Sequence, residues 1–246
     1  MDKIKYICIS FLLITSCGKS DDNISTESET LATYIDGKIF ETGAVIACAA
    51  SDIDSNDILT YYYPEPGTSN VRYYETENDE LDGQDFLNYK MVDLESTPLF
   101  NGYLGQFTQN STQEKWIVIT FELEGEIKIS NPIRTKQITK PSVWHNAISI
   151  DQAQTGMPVF SWEANAFGDN AIYFHVVSDI ENNLLSGTYT IENQFQYYKT
   201  SNLVLNITRE TPPDLILRNT YNITLMDVSK DNWVNAVVFN KKFNTQ

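Results

Sequence analysis

Residues 116–133 read WIVITFELEGEIKISNPI, and this stretch decides the fold class. Two runs that alternate β-branched or aromatic residues with other side chains, 116–123 and 126–133, flank the dipeptide Glu124-Gly125. Alternation with a period of two is typical of β-strands, and a two-residue connection ending in glycine is typical of a tight hairpin. The stretch therefore predicts an antiparallel pair of strands.

The alternation also predicts which side of this hairpin is buried, because successive side chains of a strand point to opposite faces. We expect an apolar face and a charged face; the first has Phe121, Leu123, Ile127 and Ile129, and the second Glu122, Glu124, Glu126 and Lys128. Paired carboxylates also serve in glycosidic cleavage. Strict alternation on one hairpin instead favours a solvated face for the three glutamates.

Similar short runs, rich in Tyr, Phe, Ile, Val and Thr and separated by turn residues, continue along most of the chain. No convincing amphipathic helix interrupts them. Many short strands with frequent turns predict an all-β protein built from sandwiches. We divide the body near residue 140 into two tandem units of immunoglobulin-domain size, an immunoglobulin-like sandwich at 32–140 and a second sandwich at 141–246.

The second unit carries two motifs, a tryptophan in PVFSW at 158–162 and Leu215 six residues before Tyr221. In these motifs it resembles a fibronectin type III domain. That family has a Trp in its second strand, and a Leu six residues before a Tyr marks the corner that leads into its sixth strand. The resemblance implies these roles for Trp162, Leu215 and Tyr221. The Pro-Gly of the family's corner is replaced here by residues 217–218, Leu-Arg. The first unit is immunoglobulin-like in strand pattern alone.

The N-terminus predicts an exported, lipid-anchored protein. Lys3 and Lys5 precede an apolar run at 6–14 that is too short to span a bilayer, which needs about 20 residues. This pattern is typical of a secretory signal. The run ends in ITSC at 14–17, which resembles the lipobox of bacterial lipoproteins. The resemblance implies cleavage before Cys17 and acylation of its thiol, so 1–17 form the signal peptide and lipobox.

Residues 18–31 are almost entirely polar and predict a disordered acidic tether, because they cannot bury enough apolar surface to offset their ordering entropy. Their beginning, GKSDDN at 18–23, resembles the surface-export signal of Bacteroidota lipoproteins. That resemblance implies a protein anchored in the outer membrane and facing the cell exterior.

The acidic composition limits the partners of the body. The chain has a formal net charge of −16 at neutral pH. Nucleic acid is therefore excluded, since phosphate binding needs a concentrated basic face. In the body only Cys48 remains, which excludes an internal disulfide, and its apolar surroundings at 44–50 predict a buried, inert thiol.

Catalytic and metal motifs are missing from the sequence, so we expect a non-catalytic protein without a cofactor or metal. His175 lies within a predicted strand, and His145 has no evident partner. The segment 52–57 begins like a calcium loop but lacks the glycine and glutamate that the full loop requires. It and the acidic segment 78–85 are interpreted as solvated turns.

Aromatic residues supply the candidate binding surface. Trp233 follows a predicted turn, Trp144 lies at the junction of the two units, and Tyr62 belongs to a Tyr-Tyr-Tyr run. Exposed aromatic rings give a large contact area at low entropic cost. The favoured hypothesis is binding or adhesion, with polysaccharide capture first and another surface protein second. The alternative is a structural subunit or spacer in an outer-membrane complex; an enzyme is the least favoured reading.

Overall fold

The computed structural model describes residues 29–55 and 57–246, so the predicted signal peptide, Cys17 and most of the tether lie outside it. The described chain is almost all β, as predicted. Its first half contains one short helix and ten strands: α1 (Leu31–Ile35), β1 (Phe40–Val45), β2 (Ala47–Ser51), β3 (Asp57–Tyr62), β4 (Ser69–Glu75), β5 (Lys90–Val92), β6 (Thr97–Leu99), β7 (Leu104–Asn110), β8 (Trp116–Leu123), β9 (Glu126–Ser130) and β10 (Ile133–Arg134).

The second half adds nine strands: β11 (Val143–Trp144), β12 (Ser149–Asp151), β13 (Val159–Ser161), β14 (Asn170–Ser178), β15 (Leu184–Thr190), β16 (Gln194–Gln196), β17 (Leu205–Asn206), β18 (Thr220–Ser229) and β19 (Val234–Asn244). Single 3₁₀ turns occur at Phe86–Asn88 and Phe100–Gly102.

The strands form four sheets, which we call sheets A to D. Sheet A has the order β1-β9-β8-β4-β5, with β10 paired to β8, and sheet B has the order β2-β3-β7-β6. Sheet C has the order β11-β19-β18-β14-β15-β17, and sheet D the order β12-β13-β16. Most neighbours are antiparallel; β1 on β9 and β11 on β19 are parallel.

The four sheets stack as successive layers with a hydrophobic core at each contact. Sheets A and B enclose Tyr73 and Phe107, sheets B and C enclose Tyr61 and Phe174, and sheets C and D enclose Phe160. The outer face of sheet A packs against α1. Sheet B is therefore an internal layer, and apolar side chains are needed on both of its faces.

The hairpin of β8 and β9 is confirmed, but the predicted sharing of faces is wrong. Phe121 packs toward sheet B, whereas Ile127 packs toward α1. The physical reason is the two-residue turn, in which Glu124 and Gly125 both adopt positive φ (52° and 84°). It sets Glu122 directly opposite Ile127, and directly opposed residues share a face.

Glu122 is consequently not on a solvated face of its own. Its carboxylate accepts hydrogen bonds from the Tyr34 hydroxyl (2.8 Å) and the Asn70 amide (2.7 Å). These bonds lower the pKa of Glu122. The carboxylate thus helps to hold α1 on sheet A.

The expected corner of the fibronectin type III pattern is present in the second half. Tyr221 lies at the start of β18, and its hydroxyl accepts a hydrogen bond from the backbone N–H of Ile216 (2.9 Å). Leu215 and Tyr221 are both buried between sheets C and D, as is Trp162, which follows β13 directly. Arg218 adopts positive φ (66°) in place of the family's glycine.

The tether prediction extends too far at its C-terminal end. Leu31 is fully buried, and Thr30 caps α1 by accepting a hydrogen bond from the N–H of Thr33 (3.2 Å). Glu29 forms an ion pair with Arg72. An apolar residue and a capping threonine inside a polar stretch are the signals of a helix start that the composition of 18–31 concealed.

The predicted boundary near residue 140 falls between β10 and β11, at a point where the two halves are in close contact. The N–H of Ser51 donates to Ser142 Oγ (3.0 Å), and the N–H of Ser142 donates to Ser51 Oγ (2.8 Å). Ser142 Oγ in turn donates to the carbonyl of Val234 (2.6 Å). These bonds connect β2 to the edge of sheet C, beside the core that sheets B and C share.

Candidate functional site

The expected surface position of Trp233 is wrong, because its side chain is fully buried (0% exposed). The turn at 229–232 folds back, with Asn232 at positive φ (60°), so the indole enters the core between sheets A and B. Its Nε1–H donates to the carbonyl of Lys140 (2.9 Å). A fully buried indole cannot contact a ligand from solution.

Tyr62 is also buried, and the internal position of sheet B is the reason. Its ring stacks on Phe107 (centroids 5.4 Å apart), and its hydroxyl hydrogen-bonds with Ser96 (2.8 Å). The neighbouring Tyr61 is buried on the opposite face, toward sheet C. Tyr61 and Tyr62 therefore fill two cores and provide no external platform, whereas Tyr63 is partly exposed.

Trp144 remains partly exposed at the edge of sheet C. Its Nε1–H donates to the carbonyl of Ser51 (2.9 Å), and its ring contacts Phe239 edge-on (centroids 6.3 Å apart). The structure does not bring Trp144, Trp233 and Tyr62 together as one surface.

The residue after Trp144 leads to a different site. His145 lies at the rim of the sandwich of sheets C and D, beside a cavity of about 80 Å³ that we call the loop pocket. The pocket lies under the β13–β14 loop, and its principal lining residues are His145, Trp162, Phe167, Tyr173 and Asp227.

The β13–β14 loop is held in place by hydrogen bonds to the strands beside it. Asn165 and Asp169 adopt positive φ, a conformation that asparagine and aspartate tolerate better than most residues. The N–H of Asn165 donates to the Tyr173 hydroxyl (2.8 Å), and the side chain of Asn235 donates to the carbonyl of Gly168 (2.8 Å). The pocket is thus pre-formed, which lowers the entropic cost of binding.

Asp227 is the most informative group of the loop pocket, because it is a buried carboxylate (5% exposed) on the face of sheet C. Its Oδ1 accepts hydrogen bonds from the side chains of Asn170 (2.8 Å) and Asn235 (3.3 Å). Its Oδ2 accepts none from residues 29–55 and 57–246, and Asp227 forms no ion pair with them. Oδ2 is not among the fully buried polar atoms that lack a partner, so it is open to the pocket and can accept a hydrogen bond from a ligand that donates.

His145 supplies the complementary donor. Burial lowers its pKa, against the opposing effect of the negative charge on Asp227, so the ring is neutral at pH 7. Its Nδ1 accepts a hydrogen bond from the N–H of Ala147 (3.0 Å), which assigns the ring proton to Nε2. The ring lies beside that of Phe167 (centroids 5.2 Å apart).

His175 has no access to the pocket or to solvent. It is 1% exposed, and its Nδ1 hydrogen-bonds with Thr188 Oγ1 (2.8 Å). Burial lowers its pKa to about 3. Its Nε2 has no partner among the residues that the structure describes. It is a core histidine, as its position in a predicted strand indicates.

Each acidic loop has a carboxylate that is bound by another side chain of the protein. Asp52 accepts a hydrogen bond from Ser55 (2.9 Å), and Asp79 pairs with Arg134 (2.7 Å). The described part of the chain contains no group of three or more potential metal-ligating side chains.

The sequence interpretation missed Asp227 and Phe167. A signal for Asp227 exists, because it is the single charged residue in the stretch at 221–228 that is interpreted as a strand. A carboxylate in such a stretch must either face solvent or serve a buried polar site. No comparable signal marks Phe167, since its position depends on the course of the loop.

The fold and the pocket define an all-β, immunoglobulin- and fibronectin-like protein with a pre-formed pocket. No protein-family model matches the chain, and no curated protein is significantly similar to it. Among solved structures, one of a biofilm-associated protein (BSP domain) is 15% identical with a TM-score of 0.27, covering 87% of this chain and 31% of that one. A structure of the receptor tyrosine kinase Torso is 13% identical with a TM-score of 0.24, and the match covers 85% of this chain and 76% of that one.

This chain thus spans about a third of the biofilm-associated structure. Likenesses at these TM-scores say nothing about ligand or activity.

Proposed function

We propose that this protein is a non-catalytic lipoprotein of the outer-membrane surface that captures glycans in its loop pocket. The observation that carries the proposal is Asp227, a buried carboxylate whose Oδ2 accepts no hydrogen bond from the described residues although it lines an aromatic pocket. A sugar hydroxyl is a donor that suits such an oxygen, since hydrogen bonds to charged groups are among the stronger ones.

The other groups of the loop pocket fit a sugar as well. The Nε2–H of His145 can donate to a second hydroxyl or to the ring oxygen, and Phe167 offers an apolar surface to the C–H face of the ring. The volume of about 80 Å³ exceeds the roughly 30 Å³ that one water occupies in the liquid. One edge of a sugar, such as a hydroxymethyl group, fits inside while the rest of the glycan lies outside.

Anchoring through Cys17 suits capture at a surface, because two acyl chains hold a protein stably at a membrane. Within the described residues, no helix is long and apolar enough to cross a bilayer. The anchor is tested by Cys17→Ser in cells, followed by partition in a detergent that separates into two phases. The protein should move from the detergent phase to the aqueous phase; unchanged partition would contradict the lipid anchor.

Glycan capture is tested by isothermal titration of the mature lipoprotein, solubilised in detergent, against a panel of polysaccharides and monosaccharides. A binder from this panel should lose about tenfold or more of its affinity with Asp227→Asn, since one hydrogen bond to a charged group contributes roughly 1.5–3 kcal/mol. Glu181→Gln is the matched control, because Glu181 is exposed in the β14–β15 turn at the opposite end of β14.

Two results would contradict this proposal. Absence of heat with every glycan would remove glycan capture, and equal affinity of the Asp227→Asn variant would remove the loop pocket as its site. Tetramethylammonium chloride is included in the titrations, because a carboxylate among aromatic rings also suits an ammonium group. Binding of this cation without binding of any glycan would likewise count against the proposal.

A further inference from the structure

A second and larger cavity lies where one end of sheet A meets sheets B and C. Its volume is about 200 Å³, and we call it the junction cavity. Its principal lining residues are Ile46, Cys48, Tyr61, Phe174, Tyr189 and Met226. Gly43 and Asn131, both exposed, also line it and mark its opening to solvent.

The lining of the junction cavity carries no charge at neutral pH, although the chain as a whole has a net charge of −16. Burial raises the pKa of the Cys48 thiol to about 12, so the thiol stays protonated. Burial likewise raises the pKa of Tyr61 and Tyr189. A charged ligand would lose its hydration on entry without meeting an opposite charge, which is strongly unfavourable.

Aromatic rings form one wall of the cavity. Phe174 and Tyr189 stack with their centroids 4.5 Å apart and an interplanar angle of 28°. Aromatic pairs gain from further offset-stacked or edge-on rings at similar separations. This wall therefore favours a ligand with an aromatic ring.

Two hydroxyl groups supply polarity without charge. Tyr61 and Tyr189 both line the cavity, and neither hydroxyl hydrogen-bonds with the residues that the structure describes or is fully buried among them. Because both phenols remain protonated, each can donate to an acceptor oxygen or nitrogen of a ligand.

The size of the cavity restricts the ligand further. An apolar cavity of roughly 150 Å³ in another protein is large enough to bind benzene, whereas sites for drug-sized molecules measure roughly 300–1,000 Å³. The junction cavity lies between these values. We infer that it binds an uncharged small molecule with a single aromatic ring and one hydroxyl or carbonyl oxygen.

This inference is independent of glycan capture, because the two cavities lie on opposite faces of sheet C. The experiment titrates the mature lipoprotein in detergent with phenol, and uses benzoate as the charged control and cyclohexanol as the non-aromatic control. Phenol should bind saturably, and benzoate and cyclohexanol at least tenfold more weakly. Absence of saturable phenol binding, or equal binding of benzoate, would overturn the inference.

Variants of Cys48 then locate the binding. Cys48→Phe fills the cavity and should abolish phenol binding, whereas Cys48→Ser keeps its volume and should retain it. Cys48→Met adds less bulk and gives the same readout if the phenylalanine variant does not fold. Tyr61→Phe should weaken binding several-fold through loss of one donor. Phenol affinity that is unchanged in a folded Cys48→Phe or Cys48→Met variant would place the ligand elsewhere. The Asp227→Asn variant should bind phenol normally, which separates this site from the loop pocket.

Discussion

The two faces of sheet C differ in chemistry although they are built from the same strands. On the face toward sheet B, Phe174 of β14 lies opposite Met226 of β18, and both are apolar. One position along, on the face toward sheet D, His175 lies opposite Leu225. Asp227 follows on this same face, beside Tyr173. At these positions the face toward sheet B thus presents apolar side chains, whereas the face toward sheet D presents a histidine and a carboxylate.

The difference reflects what covers each face. Sheet B covers its side of sheet C with an extended layer, so a polar group there would lose water without a partner. The three-stranded sheet D leaves a rim near His145, which the β13–β14 loop closes only partly. Asp227 lies at this partly covered rim, where we place the glycan site. His175 lies deeper, under full cover, and hydrogen-bonds with Thr188 instead.

The largest expected effect tests the structural role of the face toward sheet B. Phe174→Ala removes a buried ring (2% exposed) from the core of sheets B and C. Such a change costs about 3–5 kcal/mol of the free energy of unfolding. Urea denaturation measures it, with Asp227→Asn as the comparison on the opposite face. Asp227→Asn should be much less destabilising, because its Oδ1 still accepts from two asparagine side chains. Equal losses would remove the distinction between the faces.

The second-largest expected effect is the loss of folding stability at low pH that is caused by His175, on the face toward sheet D. Burial lowers the pKa of His175 to about 3 in the folded protein, against about 6.5 in the unfolded chain. Below about pH 6.5 the unfolded state takes up a proton that the folded state does not, so stability falls as the pH falls toward 3. Between pH 6 and pH 4 this residue should account for about 2–3 kcal/mol.

His175→Asn removes this titration and retains an acceptor near Thr188. Urea denaturation of both proteins at pH 6 and pH 4 isolates the contribution, since all other titrating groups are common to both. The variant should lose less stability over this interval than the parent protein. Parallel losses in the two proteins would show that His175 is not the acid-sensitive group.

Much of the architecture follows from local sequence, whereas its layering does not. The β8–β9 hairpin can be predicted because alternation and a two-residue turn are short-range signals. The Tyr221 corner can be predicted from the fixed spacing between Leu215 and Tyr221. The burial of Tyr62 and Trp233 depends on sheets that are distant in sequence. Alternation states which side chains share a face of one strand, and the parity changes across a tight turn. It does not state whether another sheet covers that face.

The candidate site is less predictable still. The residue type marks His145 as a candidate, but Asp227, which lines the same pocket, lies in β18, 82 positions along the chain. The pocket exists only because β11 and β18 belong to one sheet and the β13–β14 loop folds over them. No local pattern encodes that approach.

A smaller effect tests the contact between the two halves of the chain on the side of sheet B. Ser142→Ala removes the acceptor for the N–H of Ser51 and the donor to the carbonyl of Val234. Leaving buried backbone groups unpaired costs about 1–3 kcal/mol, and we expect a value near the lower end. Ser149→Ala, at an exposed serine of β12, is the matched control and should be nearly neutral in urea denaturation. A neutral Ser142→Ala would mean that packing alone joins sheets B and C.

The smallest effect concerns the corner that precedes β18 on the side of sheet D. Arg218 is exposed and adopts φ of 66°, a conformation that costs a residue with a Cβ about 1–2 kcal/mol. Arg218→Gly relieves this cost. It also raises the conformational entropy of the unfolded chain, which lowers the free energy of unfolding by about 0.5–1 kcal/mol. The net result should be a stabilisation of less than about 1 kcal/mol, measured by urea denaturation. Arg218→Lys is the matched control, because it keeps the Cβ and should leave stability unchanged. A glycine variant less stable than the lysine variant would contradict this expectation. It would mean that the side chain at position 218 stabilises the corner in addition to the bond from the N–H of Ile216 to Tyr221.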